Sequence, residues 1–202
     1  MNFKDAKKAG KIHKKIKEDV YKYIDNYETN EINLLDICEY VENNIRKECR
    51  NISKKKQYNN YVAFPTGVSL NSIAAHYTAM PNDKTIYHKD KDVLKIDFGV
   101  HINGTIIDSA FTISYLDKYE PLLMASKEAV KGVIKSARPD ILISELGKIS
   151  EEIVNSYEID DNGNSIPIKA IDNLAGHTID KYNIHSGKYI YGVDKSKNSD
   201  YD

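Results

Sequence analysis

Residues 94–115, LKIDFGVHINGTIIDSAFTISY, constrain this chain more than any other stretch. Asn103 and Gly104 supply the two positive-φ residues that a tight primed turn requires, and strand-forming residues flank them on both sides, so a β-hairpin is expected. A two-residue loop sets the pairing: Ile102 opposite Thr105, Gly99 opposite Asp108 and Asp97 opposite Ala110. Asp97 and Asp108 then lie on one face, as diagonal neighbours roughly 7 Å apart, embedded between Ile96, Phe98, Ile107 and Phe111. Two anions so placed repel each other. Either one carboxyl takes up a proton at raised pKa, or a cation lies between them. A hairpin with one solvated polar face satisfies the same pattern, so the other residues must decide.

The composition, 202 residues with 41% hydrophobic and 29% charged, suits one globular domain over 1–202 with a sizeable core. A formal net charge of -1 gives no bulk attraction for nucleic acid or for a membrane surface. Lysines cluster at Lys7, Lys8, Lys11, Lys14, Lys15 and Lys17 and again at Lys54 to Lys56. They read as solvated faces, with nucleic-acid or ribosome contact the alternative. Cys38 and Cys49 fall on one expected helix, separated along its axis well beyond disulfide reach, and read as buried or idle thiols in a reducing compartment. The start, MNFKDAKKAG, lacks the apolar core of a signal peptide, and no apolar run approaches bilayer-spanning length. A cytoplasmic protein with no membrane or nucleic-acid partner is expected.

Before the hairpin, Phe3, Ala6, Ala9, Ile12, Ile16, Val20, Ile24 and Tyr27 recur at helical steps, with His13 beside the stripe as a packing residue. A second helix starts at Asn33 as N-cap, turns Leu34, Ile37, Cys38, Val41 and Ile45 inward, and ends before the polar run 50–60. From Tyr61, short apolar pieces broken by Pro65, Gly67 and Pro81 predict strands and loops. After the hairpin, Leu122, Leu123, Val130, Val133, Ile134 and Ala137 outline a helix with Pro121 in its first turn and Pro139 closing it. Ser144 is expected to cap a fourth helix carrying Leu146, Ile149, Ile153 and Val154, followed by a second hairpin turning at Asn162 and Gly163. The alternation of helix pairs and hairpins favours an α/β or α+β architecture, helices covering a curved, mostly antiparallel sheet.

His76 in AAHYT, His177 in AGHTI and His185 in NIHSG would each, taken singly, read as ordinary histidines. Together with Asp97 and Asp108 they make a carboxylate and imidazole set of the kind that binds a transition metal. His88, in a polar loop, and His101, flanking the turn, read as surface residues.

The runs FPTGVSLNSIAAHYT (64–78), KIDFGVHINGTIIDSAFT (95–112) and NLAGHTIDKYNIHSGK (173–188) resemble type 2 methionine aminopeptidases, the eukaryotic and archaeal branch of that family. The resemblance runs from the first helix to about Lys188. It implies the pita-bread fold, two pseudo-symmetric halves around a curved sheet, with the second half incomplete here. It implies Asp97, Asp108 and His177 as metal ligands, Asp108 bridging two divalent ions, with cobalt, manganese, iron or zinc as candidates. It implies His76 and His185 as catalytic and substrate-binding residues, donating hydrogen bonds to the scissile amide and to the oxygen that becomes negative. The implied activity is removal of the initiator methionine, with N-terminal methionine peptides of nascent proteins as partners.

One departure is large. Members of that branch continue to two further ligand glutamates with a helical insertion between them, whereas this chain ends at Asp202, and Glu145, Glu151, Glu152 and Glu158 do not match those motifs. The basic and acidic segment that many eukaryotic members carry ahead of the catalytic domain has no counterpart either. The expectation is a fragment or a natural truncation, with weak metal binding and little methionine release by itself. A catalytically inactive binding protein of the same fold is the alternative, and peptidases of the fold acting on proline-containing or creatine-like substrates are a third reading, from which FPTG and AAHYT point away.

Overall fold

Helix α1 (Phe3–Asp25) begins where the Asn2 side chain accepts hydrogen bonds from the N–H groups of Lys4 and Asp5, filling two of the positions a helix start leaves open. Ala9, Ile12, Ile16, Val20 and Ile24 are buried along it, as the helical spacing predicts. Helix α2 (Leu34–Ile52) is initiated by Asn33, whose Oδ1 accepts from the Leu35 N–H at 2.8 Å. It buries Leu34, Ile37, Cys38, Val41, Ile45 and Cys49. The helix runs through Arg50 to Ile52, past its expected end, because polar residues on an exposed helical face break nothing. Both cysteines are free and buried, and burial pushes their thiols up to about 11, which leaves them protonated and inert.

The computed structural model describes residues 2–52 and 59–196; the Lys54 to Lys56 cluster and residues 197–202 of the tail lie outside the described residues. Within it, strands β1 (Glu31–Asn33), β2 (Asn60–Val62), β3 (Gly67–Leu70), β4 (Ile86–His88), β5 (Leu94–Ile102) and β6 (Thr105–Ile113) accompany α1 and α2. β1 pairs with β4, a contact the sequence does not advertise, since three residues carry no legible alternation. β5 is the centre of a four-stranded antiparallel sheet. β6 pairs along all of it, while β2 takes its other edge near the turn, Val62 opposite Val100, and β3 takes that edge near the base, Gly67 opposite Asp97. Ile96, Phe98, Val100 and Ile102 of β5 are buried in one cluster with the apolar stripes of α1 and α2. Each fully buried side chain of this size contributes about 1.5–3 kcal/mol relative to exposure.

Further along lie a short 3-10 turn (Asp117–Tyr119), α3 (Glu120–Ser136), α4 (Ile143–Asn155), β7 (Glu158–Asp161), β8 (Asn164–Pro167), β9 (Ala175–His177) and β10 (Tyr189–Tyr191). β7 and β8 form the hairpin expected at Asn162 and Gly163. Two expectations are corrected. Ser144 lies inside the first turn of α4, where Leu142 is the N-cap and no side chain caps the helix. On α3 it is Ala125 and Ala129 that are buried, while Val130 and Ile134 stay exposed. A Cβ on Gly132 would overlap the Ile153 side chain of α4, so the close approach of the helices selects a face of small residues over the larger aliphatics.

The chain forms two compact units, Met1–Tyr115 with Ile179–Ile184, and Leu116–Thr178 with His185–Asp202. Among the described residues no helix is long and apolar enough to cross a membrane.

Candidate functional site

In the first unit, the β5–β6 register is the one the turn predicts: Ile102 opposite Thr105, Gly99 opposite Asp108, Asp97 opposite Ala110. Side chains alternate across a strand, so Asp97 and Asp108 project from the same face as diagonal neighbours. Two glycines shape this face. A Cβ on Gly67, opposite Asp97 on β3, would sit 3.3 Å from the Asp97 Cβ. A Cβ on Gly99, opposite Asp108, would overlap the Phe64 ring. The bare backbone therefore admits an aromatic ring beside the carboxylates.

That ring stands on a braced loop. The Ala63 N–H donates to the Gly99 carbonyl at 2.9 Å, continuing the β2 pairing. The Thr66 N–H donates to Glu42 Oε1 at 3.2 Å, and the other oxygen of Glu42 accepts from Arg46, which also donates to the Tyr61 hydroxyl at 3.0 Å.

His76 lies in the loop after β3 with φ 66°, a left-handed conformation uncommon for a residue with a side chain. Its neighbour Tyr77 holds the loop down. The Tyr77 N–H donates to Ser69 Oγ at 3.2 Å, its carbonyl accepts from the Val68 N–H at 2.6 Å, and its hydroxyl donates to Asp83 at 2.5 Å. Hydrogen bonds from Tyr77 and then Thr85 hold the Asp83 carboxyl below its usual range. The backbone, more than any bond of the imidazole, thus sets where His76 stands.

The opposite face of the hairpin receives His13, buried as its place beside the α1 stripe predicts. Its ring stacks on Phe98, and burial lowers its pKa against the opposing influence of two carbonyl hydrogen bonds. His101 is less exposed than expected. Its ring lies edge-on to Tyr182 at 5.7 Å, and desolvation lowers its pKa. His88 ends strand β4 instead of lying in a loop and is half-buried beside Glu31, Nδ1 to Oε1 3.4 Å.

In the second unit, His177 ends β9 and pairs in register with Tyr189 of β10. Thr178 then exchanges backbone hydrogen bonds with Lys188 and Ser186, at 2.9 Å each. This brings the His185 ring within 4.2 Å of the His177 ring, centroid to centroid. The structure thus pairs Asp97 with Asp108 in one unit and His177 with His185 in the other. Among the described residues no group of three or more His, Cys, Asp or Glu side chains is assembled that could hold a metal ion. Sequence reading did not single out Phe64, Gly67 or Gly99 for roles on the aspartate face. Glycines at in-face positions of otherwise alternating strands were the available signal.

Helices thus cover an antiparallel sheet whose central hairpin carries the two aspartates on one face, and the β9–β10 pair brings the two histidine rings together. The sequence profile of metallopeptidase family M24 matches residues 4–200, and the chain belongs to that family. It is 40% identical over 189 residues to methionine aminopeptidase 2 of Debaryomyces hansenii, covering 94% of this chain and 43% of that protein. It is 37% identical over 191 residues to methionine aminopeptidase 2A of Arabidopsis thaliana, covering 95% and 41%. The chain therefore spans about two fifths of the length of these relatives. Among solved structures, a methionine aminopeptidase from Thermotoga maritima superposes with a TM-score of 0.72 at 19% identity, covering 96% of this chain and 73% of that one. A thermophilic Arx1 gives 0.67 at 18% identity, covering 98% and 59%. The fold is the pita-bread α/β fold of these aminopeptidases.

Proposed function

We propose that this chain acts as a single metallopeptidase domain whose activity is removal of the N-terminal methionine from nascent proteins. The observation that carries the reading is similarity to methionine aminopeptidase 2 proteins along 94% of the chain. The aspartate face supports it. Two carboxylates held on one face of the hairpin as diagonal neighbours are hard oxygen donors of the kind that suits divalent metal.

In this reading Asp97, Asp108 and His177 hold two divalent ions, with cobalt, manganese, iron or zinc suited to the donors. When bound, such ions polarise a carbonyl and supply an activated water at neutral pH. His76 and His185 donate hydrogen bonds to the scissile amide and to the oxygen on which charge develops, an interaction strongest in the transition state. The Phe64 ring offers an apolar surface suited to a flexible thioether side chain. Substrates of this kind arise at the ribosome, so a cytoplasmic setting with ribosome contact belongs to the same proposal.

The test uses protein loaded with manganese or cobalt, alone and supplemented with the remaining length of a curated relative, and assays methionine release from a Met-Ala-Ser peptide. Release is expected from the free amino terminus and not from the N-acetylated peptide. Asp108→Asn that keeps turnover within about tenfold, a barrier change of only about 1.4 kcal/mol, would overturn the assignment. His76→Ala and His185→Ala should lower kcat far more than they raise KM.

A further inference from the structure

We propose that His13 is a positioning residue for the two aspartates, clamping from the far face of the sheet the one cross-strand pair that lies between them. The rung bearing Asp97 is Asp97 opposite Ala110, and the rung bearing Asp108 is Gly99 opposite Asp108. The rung between them is Phe98 opposite Ser109. His13 Nε2 lies 3.1 Å from the Phe98 carbonyl oxygen and 3.3 Å from that of Ser109. Both partners only accept, so Nε2 carries the hydrogen and shares it between one carbonyl from each strand. His13 is only 6% exposed, and its ring stacks on Phe98 at 4.2 Å between centroids, 15° from parallel. It therefore cannot swing away from the pair it bonds.

The rest of α1 shows why one N–H matters here. At the hairpin tip, Asn103 donates to Asp5 at 3.2 Å. Toward its base, Lys17 and Tyr21 lie against the Phe111 ring at 4.9 and 5.1 Å, and beyond it the Tyr115 hydroxyl donates to Asp25. Each of these holds a side chain on a single strand, whereas His13 ties the backbones of both strands at one rung. The offset between diagonal carboxylates depends on strand spacing and twist at that rung, and ligand sets need placement within roughly 0.5 Å. An aliphatic residue would fill the same space without the desolvation that burying a polar ring brings. The inference rests on the metal-dependent reading above, in which Asp97 and Asp108 are ligands.

Two variants separate the donor from the packing. His13→Phe keeps an aromatic ring to stack on Phe98 and removes the N–H; His13→Gln keeps a donor and removes the ring. In metal-free protein, His13→Phe should raise amide hydrogen exchange at 97–99 and 108–110 at least tenfold above wild type. Manganese titration followed by the paramagnetic signal of unbound ion should show at least fivefold weaker binding in His13→Phe. His13→Gln should return both readouts to within threefold of wild type, which packing alone would not do. Wild-type exchange in His13→Phe, or equal loss of affinity in both variants, overturns the clamp. Where His13→Phe does not fold, His13→Gln still decides: near-wild-type values support the donor and loss of both readouts overturns it. Equal manganese binding by wild type and Asp108→Asn would instead overturn the metal reading, and the exchange result then decides the clamp by itself.

Discussion

Two hairpins among the described residues turn on the same dipeptide and end in different circumstances. β5–β6 turns at Asn103 and Gly104, β7–β8 at Asn162 and Gly163, and all four residues have positive φ. The first hairpin buries Ile96, Phe98, Val100, Ile102, Phe111 and Ile113 beneath two helices. The second is largely exposed, with every residue of β8 open to solvent. Each carries two aspartates. Asp97 and Asp108 face one side of a sheet flanked by Gly67, Gly99 and Phe64. Asp160 instead accepts the Gly163 N–H at 2.7 Å and serves the turn itself. Local code therefore sets register in both, and burial turns one of them into a rigid platform.

The largest test of that contrast is a core truncation. Phe98→Ala should cost about 3–5 kcal/mol in urea unfolding, because the cavity lies between α1 and the sheet. Ile166→Ala, 47% exposed on β8, should stay within about 0.5 kcal/mol. Comparable costs would show that the second hairpin is packed as firmly as the first.

The turn glycines sharpen the comparison. Gly104→Ala and Gly163→Ala share the backbone penalty of a left-handed alanine, about 1–2 kcal/mol. A Cβ at Gly104 would also lie 2.5 Å from the ring of Tyr182, a residue whose backbone N–H donates to the Gly104 carbonyl, whereas at Gly163 nothing is within 4 Å. Gly104→Ala should exceed Gly163→Ala by about 1–3 kcal/mol of overpacking. Equal values would mean that Tyr182 yields and does not brace the tip.

A third pair concerns the carboxylates. Asp97→Asn should weaken manganese binding at least tenfold, equivalent to about 1.4 kcal/mol. Asp160→Asn should leave it unchanged, as measured by the same titration.

The smallest effect is a pH dependence arising in the first unit. Burial, its largest cause, lowers the pKa of both His13 and His101 below the ordinary 6.5. As pH falls, the unfolded chain takes up these protons before the folded one does, so the unfolded state binds more protons. Their contribution to stability is full above 6.5 and is lost as pH falls below it toward the folded values. Melting of metal-free protein between about pH 7.5 and 5.5 should show this decline, with a shallower slope in His13→Phe.

Much of this was legible in the sequence because its cause is local. Asn103 with Gly104 specifies a two-residue turn, and that alone sets Gly99 opposite Asp108 and both aspartates on one face. The helical spacing of Ile12, Ile16, Val20 and Ile24 and the cap at Asn33 act over a few residues and are where they were expected. The motifs around His76, His177 and His185 pointed to the family by pattern. Other features depend on partners far away in the chain. Packing against α4 decided that α3 buries Ala125 and Ala129 and exposes Val130 and Ile134, since the distance between helices is no property of α3 alone. Likewise, the sequence placed His13 beside an apolar stripe. Only the tertiary structure brought its N–H to carbonyls 85 and 96 residues away, because a buried donor takes whichever acceptors the packed strands present.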